Sequence, residues 1–211
     1  MKRRTLVLST GNRNKVEEIK DILKHLPVDV LSKDELGLKD IDVDEDGETL
    51  EENAIKKAKS IKNKVDGMVM ADDTGLFVDY LKGEPGIKSA RYSDPDANDE
   101  KNIEKLLSKL EGVPLEKRTA IFRTVIALIT EKGDVITVTG ECKGYIGFEK
   151  KGHSGFGYDP IFIVDGYGKT FAELGNDIKN NISHRAKALE KMRNVITDII
   201  KDGRNEDNSC Q

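Results

Sequence analysis

The chain has 211 residues, of which 35% are charged and 36% hydrophobic, a length that allows one large or two-lobed domain with a buried core. Its formal net charge of −4 at pH 7 gives no reason to expect a nucleic-acid polymer or an anionic membrane as a partner. The two cysteines indicate no disulfide framework, and no apolar run approaches the ~20 residues of a membrane-spanning helix, so we expect a soluble cytoplasmic protein.

The first elements along the chain predict an α/β arrangement. Thr5–Ser9 is a short apolar run typical of a buried strand, and Val28–Leu31 is a second one. Between them, apolar residues recur at helical spacing from Val16 to Leu26, and Pro27 ends the pattern. A strand, turn, helix and strand in this order favour an α/β domain.

The middle of the chain alternates loops with short periodic segments. An acidic stretch predicts a loop that runs into a helix, and a later buried strand ends at two adjacent aspartates before Gly75. A segment rich in Gly, Pro and Ser predicts a long ordered loop, which is followed by another helix. In chain order these segments are the acidic stretch Asp40–Glu52, the strand Met68–Ala71 with extended structure again over Leu76–Val78, the loop Gly83–Pro95 and a helix over Ile103–Leu110.

The last part of the chain begins with a predicted β-hairpin. Thr119–Thr130 and Asp134–Tyr145 are rich in β-forming residues and are separated by Lys132-Gly133, so we expect a long hairpin as the core of a second lobe. The segments that follow are a Gly-rich loop (Gly152–Pro160), a strand (Ile161–Val164) and a final helix from Ser183. We expect residues 1–202 to form one two-lobed domain and residues 203–211 to form a polar, disordered tail.

The first candidate site is the turn Ser9–Lys15, which follows a strand and opens a helix. Unpaired backbone N–H groups and the helix dipole favour an anion at such a position. The side chains of Thr10 and Asn12 can add hydrogen bonds, and Lys15 can add a positive charge. A helix start capped by Asn12 or Thr10 explains the same residues, so both interpretations stand.

The acidic segment Asp42–Gly47 has acids at the first, third and fifth positions of a calcium-binding EF-hand loop and glycine at the sixth. The twelfth position, which supplies the bidentate glutamate in that motif, is Asn53. A calcium-binding module is therefore a minor alternative. A solvated acidic loop explains most of these carboxylates, although one of them can face a site.

Two adjacent carboxylates, Asp72 and Asp73, follow the buried strand of the middle region. Alternation along a strand sends them in different directions, so one can bind a metal or activate water while the other makes supporting contacts. Ligands that are all oxygen atoms suit magnesium, which bridges to the phosphates of a substrate. An aspartate that caps the turn before Gly75 is the alternative explanation.

The loop Gly155–Pro160 combines glycines, two aromatic residues and an aspartate held before proline. Such a loop can form a pocket for a nucleobase, because aromatic faces stack on purines. A tight loop with Phe156 and Tyr158 in the core is the alternative.

A basic segment surrounds the start of the last helix. Ser183 is a suitable N-cap, while His184 and Arg185 fall in the first turn, where positive charge opposes the helix dipole. An anion or a base carbonyl docked there would explain the mismatch, with Lys179 just upstream. An exposed basic turn is the alternative.

Five blocks occur in order along the chain: TGNRNK, ADDTGL, PGIKSARYS, GFGYDPIF and SHRAKAL. In this order they resemble the inosine triphosphate pyrophosphatase family, also called non-canonical purine nucleoside-triphosphate pyrophosphatases, from about Thr5 to Ile200. The resemblance implies an α/β fold in which an elongated mixed β-sheet and flanking helices form two lobes around a central active-site cleft. It also implies a homodimer and a magnesium-dependent reaction that splits ITP, dITP or XTP to the monophosphate and pyrophosphate.

The resemblance also assigns roles by position. Glu45 and Asp73 match metal-binding carboxylates, with Asp44 and Asp46 as alternatives to Glu45, and Asp73 matches the proton acceptor. The positions that match substrate contacts are Thr10, Gly11, Asn12, Arg13, Asn14, Lys15, Lys57, Thr74, Phe156, Gly157, Tyr158, Asp159, Lys179, His184 and Arg185. A pyrophosphatase for modified pyrimidine nucleotides is the closest competing function, because its phosphate and metal groups would look alike.

Overall fold

The structure is a computed structural model that describes the backbone of residues 3–208 and the side chains of residues 3–202. Within this range the chain forms a seven-stranded sheet and five α-helices. The strands are β1 (Arg4–Leu8), β2 (Val28–Ser32), β3 (Met68–Val78), β4 (Pro85–Gly86), β5 (Thr119–Ile129), β6 (Val135–Ile146) and β7 (Phe162–Val164). The helices are α1 (Arg13–Leu23), α2 (Leu50–Lys62), α3 (Asp99–Lys109), α4 (Phe171–Ile182) and α5 (His184–Asn208).

The sheet is mixed, as predicted, and has the strand order β2-β1-β3-β5-β6-β7, with β4 paired to the outer part of β3. β1 runs parallel to β2 and β3, whereas β3, β5, β6 and β7 pair in antiparallel fashion. β3 and β5 have 11 residues each and β6 has 12. At about 3.3 Å per residue these strands are about 35–40 Å long, which makes the sheet elongated.

Three hydrophobic clusters divide the molecule into two lobes. The first lobe contains one cluster on each face of the sheet, one beneath α1 and α5 and the other beneath α2. The second lobe contains a single cluster beneath α3 and α4. Representative core residues are Leu6, Met70, Leu128 and Ile196 beneath α1 and α5, Ala54, Val69 and Ala127 beneath α2, and Leu106, Phe122, Phe162 and Phe171 in the second lobe.

The predicted hairpin of β5 and β6 is present, but it is not confined to the second lobe. Phe122 and Cys142 lie in the second-lobe core, whereas Ile126 and Leu128 lie in the first lobe. The strands are simply longer than either lobe. The hairpin therefore joins the two lobes through one continuous ladder.

β3 is also longer than predicted, because the strand does not end at Ala71 but continues through Asp72 and Asp73 to Val78. β5 pairs with it along the whole of this length. On its other edge β1 pairs with Met68–Met70 and β4 with Leu76–Phe77, and in the described ladder neither reaches residues 71–74. The alternative of an aspartate capping a turn is excluded, and the gap between β1 and β4 leaves room for a cleft.

Two features place the start of α5 against the sheet. Ser183 caps it as predicted, since its Oγ accepts a hydrogen bond of 3.1 Å from the Ala186 N–H. Gly140 of β6 lies directly beneath, and a Cβ there would be 2.1 Å from the carbonyl oxygen of His184 and 2.4 Å from the Ala188 nitrogen. The lack of a side chain at Gly140 lets the first turn of α5 contact the strand.

The helix α4 was not predicted from the sequence. This helix begins at a capping box formed by Thr170 and Glu173, and it is broken at Gly175, whose φ is 79°. The break interrupts the apolar spacing on which the helix prediction depends. α4 matters for the site because its second half carries Lys179.

The final helix extends into the segment that we expected to be a tail. Its backbone is helical through Asn208, and 209–211 lie outside the described residues. Across the described residues, no helix combines the length and the apolar character that a membrane crossing requires.

Candidate active site

A cleft of about 320 Å³ opens at the gap in the edge of β3, between the two lobes. Nearly all of the predicted site residues line it, although they come from seven different parts of the chain. These residues are Thr10, Gly11, Asn12, Lys15, Glu45, Lys57, Asp73, Thr74, Phe156, Gly157, Tyr158, Asp159, Lys179, His184 and Arg185.

The turn before α1 forms one wall of the cleft. Asn12 caps the helix, since its Oδ1 accepts a hydrogen bond of 3.2 Å from the Lys15 N–H, and Thr10 Oγ1 accepts one of 3.2 Å from the Asn12 N–H. The first turn of α1 contains no acidic residue, so its positive dipole end faces the cleft without an internal counter-charge. The cap and an anion-binding role are therefore compatible.

Arg13 and Asn14 are not among the residues that line the cleft. They are the first two residues of α1, and both side chains are exposed. The turn brings Asn12 and Lys15 inward and leaves these two on the outer surface of the helix.

Asp72 faces α5 and is buried among cations. Its Oδ2 lies 3.0 Å from Lys15 Nζ and 3.4 Å from Arg185 Nε, and its Oδ1 has no hydrogen-bond partner among the described residues. Burial acts to raise the pKa of Asp72, but Lys15 and Arg185 outweigh it and hold that pKa below its usual range. Asp72 is therefore ionised and serves as the counter-charge for two cations of the cleft.

Asp73 faces α2, on the opposite side of β3. Lys57 Nζ donates to its Oδ1 at 2.8 Å, and Asn53 Nδ2 donates to its Oδ2 at 3.3 Å. Burial raises the pKa of Asp73, with the Lys57 ammonium opposing this effect and Glu45 adding to it. A carboxylate with a raised pKa is a better proton acceptor than an ordinary aspartate.

Lys57 joins Asp73 to the acidic loop. Its Nζ is 3.4 Å from Glu45 Oε1 as well as 2.8 Å from Asp73 Oδ1. Burial acts to lower the pKa of Lys57, but Asp73 and Glu45 outweigh it and raise that pKa. The ammonium group is therefore charged, and it holds the carboxylates of Glu45 and Asp73 close to each other.

The neighbours of Glu45 point elsewhere. Asp46 pairs with Lys56 and its side chain is 73% exposed, and Asp44 is also exposed and does not line the cleft. Among Asp44, Glu45 and Asp46, the structure therefore places only Glu45 in the cleft.

The acidic loop does not form a calcium site of its own. Among the described residues, no group of three or more His, Cys, Asp or Glu side chains is placed to hold a metal ion. Asn53, the twelfth residue of the partial EF-hand pattern, contacts Asp73 and Gly47 instead. These contacts give no support to the alternative of a calcium-binding module.

The opposite end of the cleft contains the aromatic loop. Phe156 is half-buried, and Lys179 Nζ lies 4.4 Å from the centre of its ring. Tyr158 is buried, and its hydroxyl donates to the Ser89 carbonyl oxygen at 2.9 Å. Of the two aromatic residues, Phe156 therefore offers a ring to a ligand, while Tyr158 holds the loop to the second lobe.

Asp159 fixes the aromatic loop from within. Its Oδ2 accepts hydrogen bonds from Phe156 N–H at 2.9 Å and from Lys179 Nζ at 2.6 Å. Burial raises the pKa of Asp159, although the Lys179 ammonium opposes the rise. This aspartate positions the loop and is not free to bind a ligand through the same oxygen.

His184 is fully buried and stacks on Phe122, with ring centroids 4.5 Å apart and an interplanar angle of 11°. Burial, together with Arg185 and Lys179, lowers the pKa of His184 well below its ordinary value. The imidazole is therefore neutral at neutral pH. Its Nδ1 is buried and has no hydrogen-bond partner among the described residues.

The match to known proteins agrees with this geometry. The model of the Ham1 family matches residues 6–195 of the chain. The chain belongs to the Ham1 family. This finding confirms the family resemblance of the five sequence blocks.

Several relatives of this Ham1 chain are similar over most of its length. A "dITP/XTP pyrophosphatase" of Thermoanaerobacter sp. is 50% identical over 191 residues, which cover 90% of this chain and 96% of that protein. A Bacillus subtilis protein of the same name is 47% identical over 190 residues, with 90% and 96% covered. The structure of the Staphylococcus aureus Ham1 protein matches with a TM-score of 0.82 at 39% identity, covering 92% of this chain and 98% of that one.

Glu18 was not among the predicted site residues of this Ham1 chain. Its carboxylate bridges two cations beside the aromatic loop, since Oε1 lies 2.8 Å from Lys179 Nζ and Oε2 pairs with Arg185. Glu18 is one helical turn after Lys15 and shares its face of α1, a spacing that indicates an inward position. Its partners are more than 150 positions away along the chain, so the sequence does not identify them.

Other cleft residues of the Ham1 chain were missed for the same reason. They include Lys33, just after β2, Ser89 and Ala90, in the segment before α3, and Asp99 and Asn102 of α3. The sequence patterns of these segments predict only ordinary secondary structure.

Proposed function

We propose that this Ham1 protein is a magnesium-dependent pyrophosphatase that hydrolyses non-canonical purine nucleoside triphosphates, namely ITP, dITP and XTP, to the monophosphate and pyrophosphate. One observation carries the proposal: three kinds of group line a single cleft. They are the start of α1 with Lys15, two carboxylates that contact the Lys57 ammonium, and the ring of Phe156 beside buried hydrogen-bond donors. The names of relatives at about 50% identity support the same reaction.

The triphosphate would lie along the wall formed by the turn Thr10–Lys15. Backbone N–H groups at the start of α1 and the ammonium groups of Lys15 and Lys57 supply positive charge there. These groups are held in place before substrate binds, because Lys15 contacts Asp72 and Lys57 contacts Asp73. Preorganised positive charge stabilises the negative charge that develops on a leaving pyrophosphate.

Magnesium fits the donor set of the cleft. Glu45 and Asp73 offer only oxygen atoms, and magnesium takes one or two protein carboxylates together with water and phosphate oxygens. Both carboxylates already surround one cation, the Lys57 ammonium, at 3.4 and 2.8 Å. When bound, magnesium would neutralise phosphate charge.

Asp73 is the residue that we propose as the proton acceptor. Its buried carboxylate, with a raised pKa, would orient a water molecule and take its proton as the water attacks the α-phosphorus. Lys57 and Asn53 hold both carboxylate oxygens in place. No covalent intermediate is required.

The base would stack on Phe156 at the other end of the cleft. Inosine and xanthosine present a carbonyl at the 6-position where adenosine presents an amino group. The guanidinium of Arg185, 5.5 Å from the Phe156 ring, is a donor that suits the carbonyl, and neutral His184 can donate from one ring nitrogen. An adenine would leave such buried donors unpaired, at a cost of about 1–3 kcal/mol each.

We further propose a homodimer in the cytoplasm that acts on free nucleotides and not on nucleic-acid polymers or membranes. The net charge of −4 gives no support to a polyanionic partner, whereas the cleft itself is lined by the cations Lys15, Lys57 and Arg185 that a small phosphate-bearing substrate requires.

A substrate panel tests the proposal. With magnesium present, ITP, dITP and XTP should be hydrolysed at least tenfold more efficiently than ATP and GTP, and the products should be the monophosphate and pyrophosphate. Release of orthophosphate would indicate a phosphatase instead. Preferential turnover of modified pyrimidine nucleotides would favour the competing function.

A further inference from the structure

Asn53 is a fully buried residue in the first turn of α2, and neither of its side-chain contacts belongs to the helix. Its Nδ2 donates to Asp73 Oδ2 at 3.3 Å, and its Oδ1 accepts a hydrogen bond of 2.9 Å from the Gly47 N–H. One amide therefore links the strand that carries Asp73 to the loop that carries Glu45.

The two hydrogen-bond partners of Asn53 determine which side chain can occupy position 53. The Asp73 carboxylate only accepts hydrogen bonds, and the Gly47 N–H only donates them, so the residue between them must donate to one and accept from the other. An aspartate at position 53 would keep the bond to Gly47 and repel Asp73. An aliphatic residue would leave the Gly47 N–H and Asp73 Oδ2 without this partner. A carboxamide satisfies both.

The loop approaches this amide closely. A Cβ at Gly47 would lie 2.6 Å from Asn53 Oδ1, so the backbone two residues after Glu45 packs directly on the asparagine. Arg91 holds the loop from the other direction by donating to the Glu45 carbonyl oxygen.

Asn53 is not needed to cap α2. Thr49 already performs that task, since its Oγ1 accepts a hydrogen bond of 3.1 Å from the Glu52 N–H. The buried amide therefore has a different use from local helix stability, and its position between the two cleft carboxylates indicates what that use is.

We infer that Asn53 is a positioning residue that sets the Glu45 loop and Asp73 in the relative arrangement required to bind magnesium. The inference rests on the proposed function, because it concerns the metal of that reaction. Residues that hold metal ligands in place typically account for a 10–100-fold change in metal affinity, and we expect an effect of about this size.

A double-mutant cycle with Gly47→Ala and Asn53→Ala tests the inference. Mn²⁺, used as a spectroscopic substitute, is titrated into each purified protein without nucleotide, and the Mg²⁺ concentration for half-maximal activity is measured separately. Each single variant should weaken Mn²⁺ binding by about 10–100-fold. The double variant should bind Mn²⁺ more tightly than the product of the two single effects predicts, because the nearest contact of the added methyl group, Asn53 Oδ1 at 2.6 Å, is then absent and only Glu52 Cβ at 3.0 Å remains.

Thr170→Ala is the matched control. Thr170 is also a buried polar residue whose side chain both accepts a hydrogen bond, from the Glu173 N–H at 3.1 Å, and donates one, to the Lys151 carbonyl oxygen at 2.8 Å, but it does not line the cleft. Its loss should lower the thermal midpoint as much as the loss of Asn53 does and leave Mn²⁺ affinity unchanged.

Two results would overturn the inference: a folded Asn53→Ala protein with Mn²⁺ affinity within twofold of the native protein, or a Gly47→Ala effect of equal size in both backgrounds. If Asn53→Ala does not fold, a folded Gly47→Ala protein with native Mn²⁺ affinity overturns it as well. A native protein that neither binds Mn²⁺ nor requires a metal would instead contradict the proposed function.

Discussion

The adjacent aspartates Asp72 and Asp73 lie in different electrostatic environments on the two sides of β3. On the α5 side, Asp72 lies between Lys15 and Arg185, and its pKa is held below the usual range. On the α2 side, Asp73 has Lys57 and Asn53 as partners, and burial raises its pKa. The fold therefore stabilises the charge of Asp72 and disfavours that of Asp73, so we assign a structural role to the first carboxylate and a chemical role to the second.

The largest expected effect is a loss of activity, and it distinguishes the roles of the two aspartates. Asp73→Asn should lower kcat by about 10³-fold or more, because the proposed proton acceptor and metal ligand is lost. The free energy of unfolding should change by less than about 1 kcal/mol, since the fold disfavours this charge and Lys57 keeps Glu45 as a partner. Steady-state kinetics and denaturant unfolding measure both quantities, and near-native activity would remove Asp73 from the chemistry.

The same substitution at the adjacent position provides the matched comparison. Asp72→Asn should lower the free energy of unfolding by about 3 kcal/mol, because it leaves Lys15 and Arg185 buried with less counter-charge. Urea unfolding monitored by circular dichroism measures the loss. A native free energy of unfolding for Asp72→Asn, or a larger loss for Asp73→Asn, would contradict the structural role that we assign to Asp72.

A smaller expected effect, on the α5 side of β3, is a pH dependence of the free energy of unfolding. His184 has a pKa well below 6.5 in the folded state, so between pH 6.5 and that lower value the unfolded state binds more protons. The contribution of neutral His184 to the free energy of unfolding is complete above pH 6.5. As pH falls below 6.5, the free energy of unfolding decreases by at most about 1.4 kcal/mol per pH unit because of this residue.

The variant His184→Phe should remove this dependence, since phenylalanine can keep the stacking contact with Phe122. Unfolding curves at pH 7 and pH 5 should differ less for this variant than for the native protein. The other two histidines, His25 and His153, are exposed. An identical pH dependence in both proteins would show that His184 is not the group responsible.

The elements of the fold were predictable where local patterns encode them, as the apolar spacing of α1 and the turn between β5 and β6 show. The cleft positions of Glu45, Lys57 and Thr74 were predicted only through the family resemblance, and the structure places all three in the cleft. α4 was missed because Gly175 interrupts its periodicity. Local residue types also suggested that the strand would end before Asp72, whereas its pairing with β5, a distant segment, keeps it extended.

The contacts that support the site were not predictable. Glu18 meets Arg185 across 167 positions of the chain, and Asn53 meets Asp73 only because α2 packs beneath β3. Charged and polar residues on a helix usually face solvent, so the sequence does not identify the distant partners of these two. Their roles become visible only when the tertiary structure brings their partners together.

The central claim is that the cleft directs water to the α-phosphorus of a nucleoside triphosphate. The most direct test is hydrolysis of dITP in water enriched in ¹⁸O, followed by mass spectrometry of both products. Our account predicts that the label enters the monophosphate and is absent from the pyrophosphate. Label in the pyrophosphate, which would mean attack at the β-phosphorus, would contradict it.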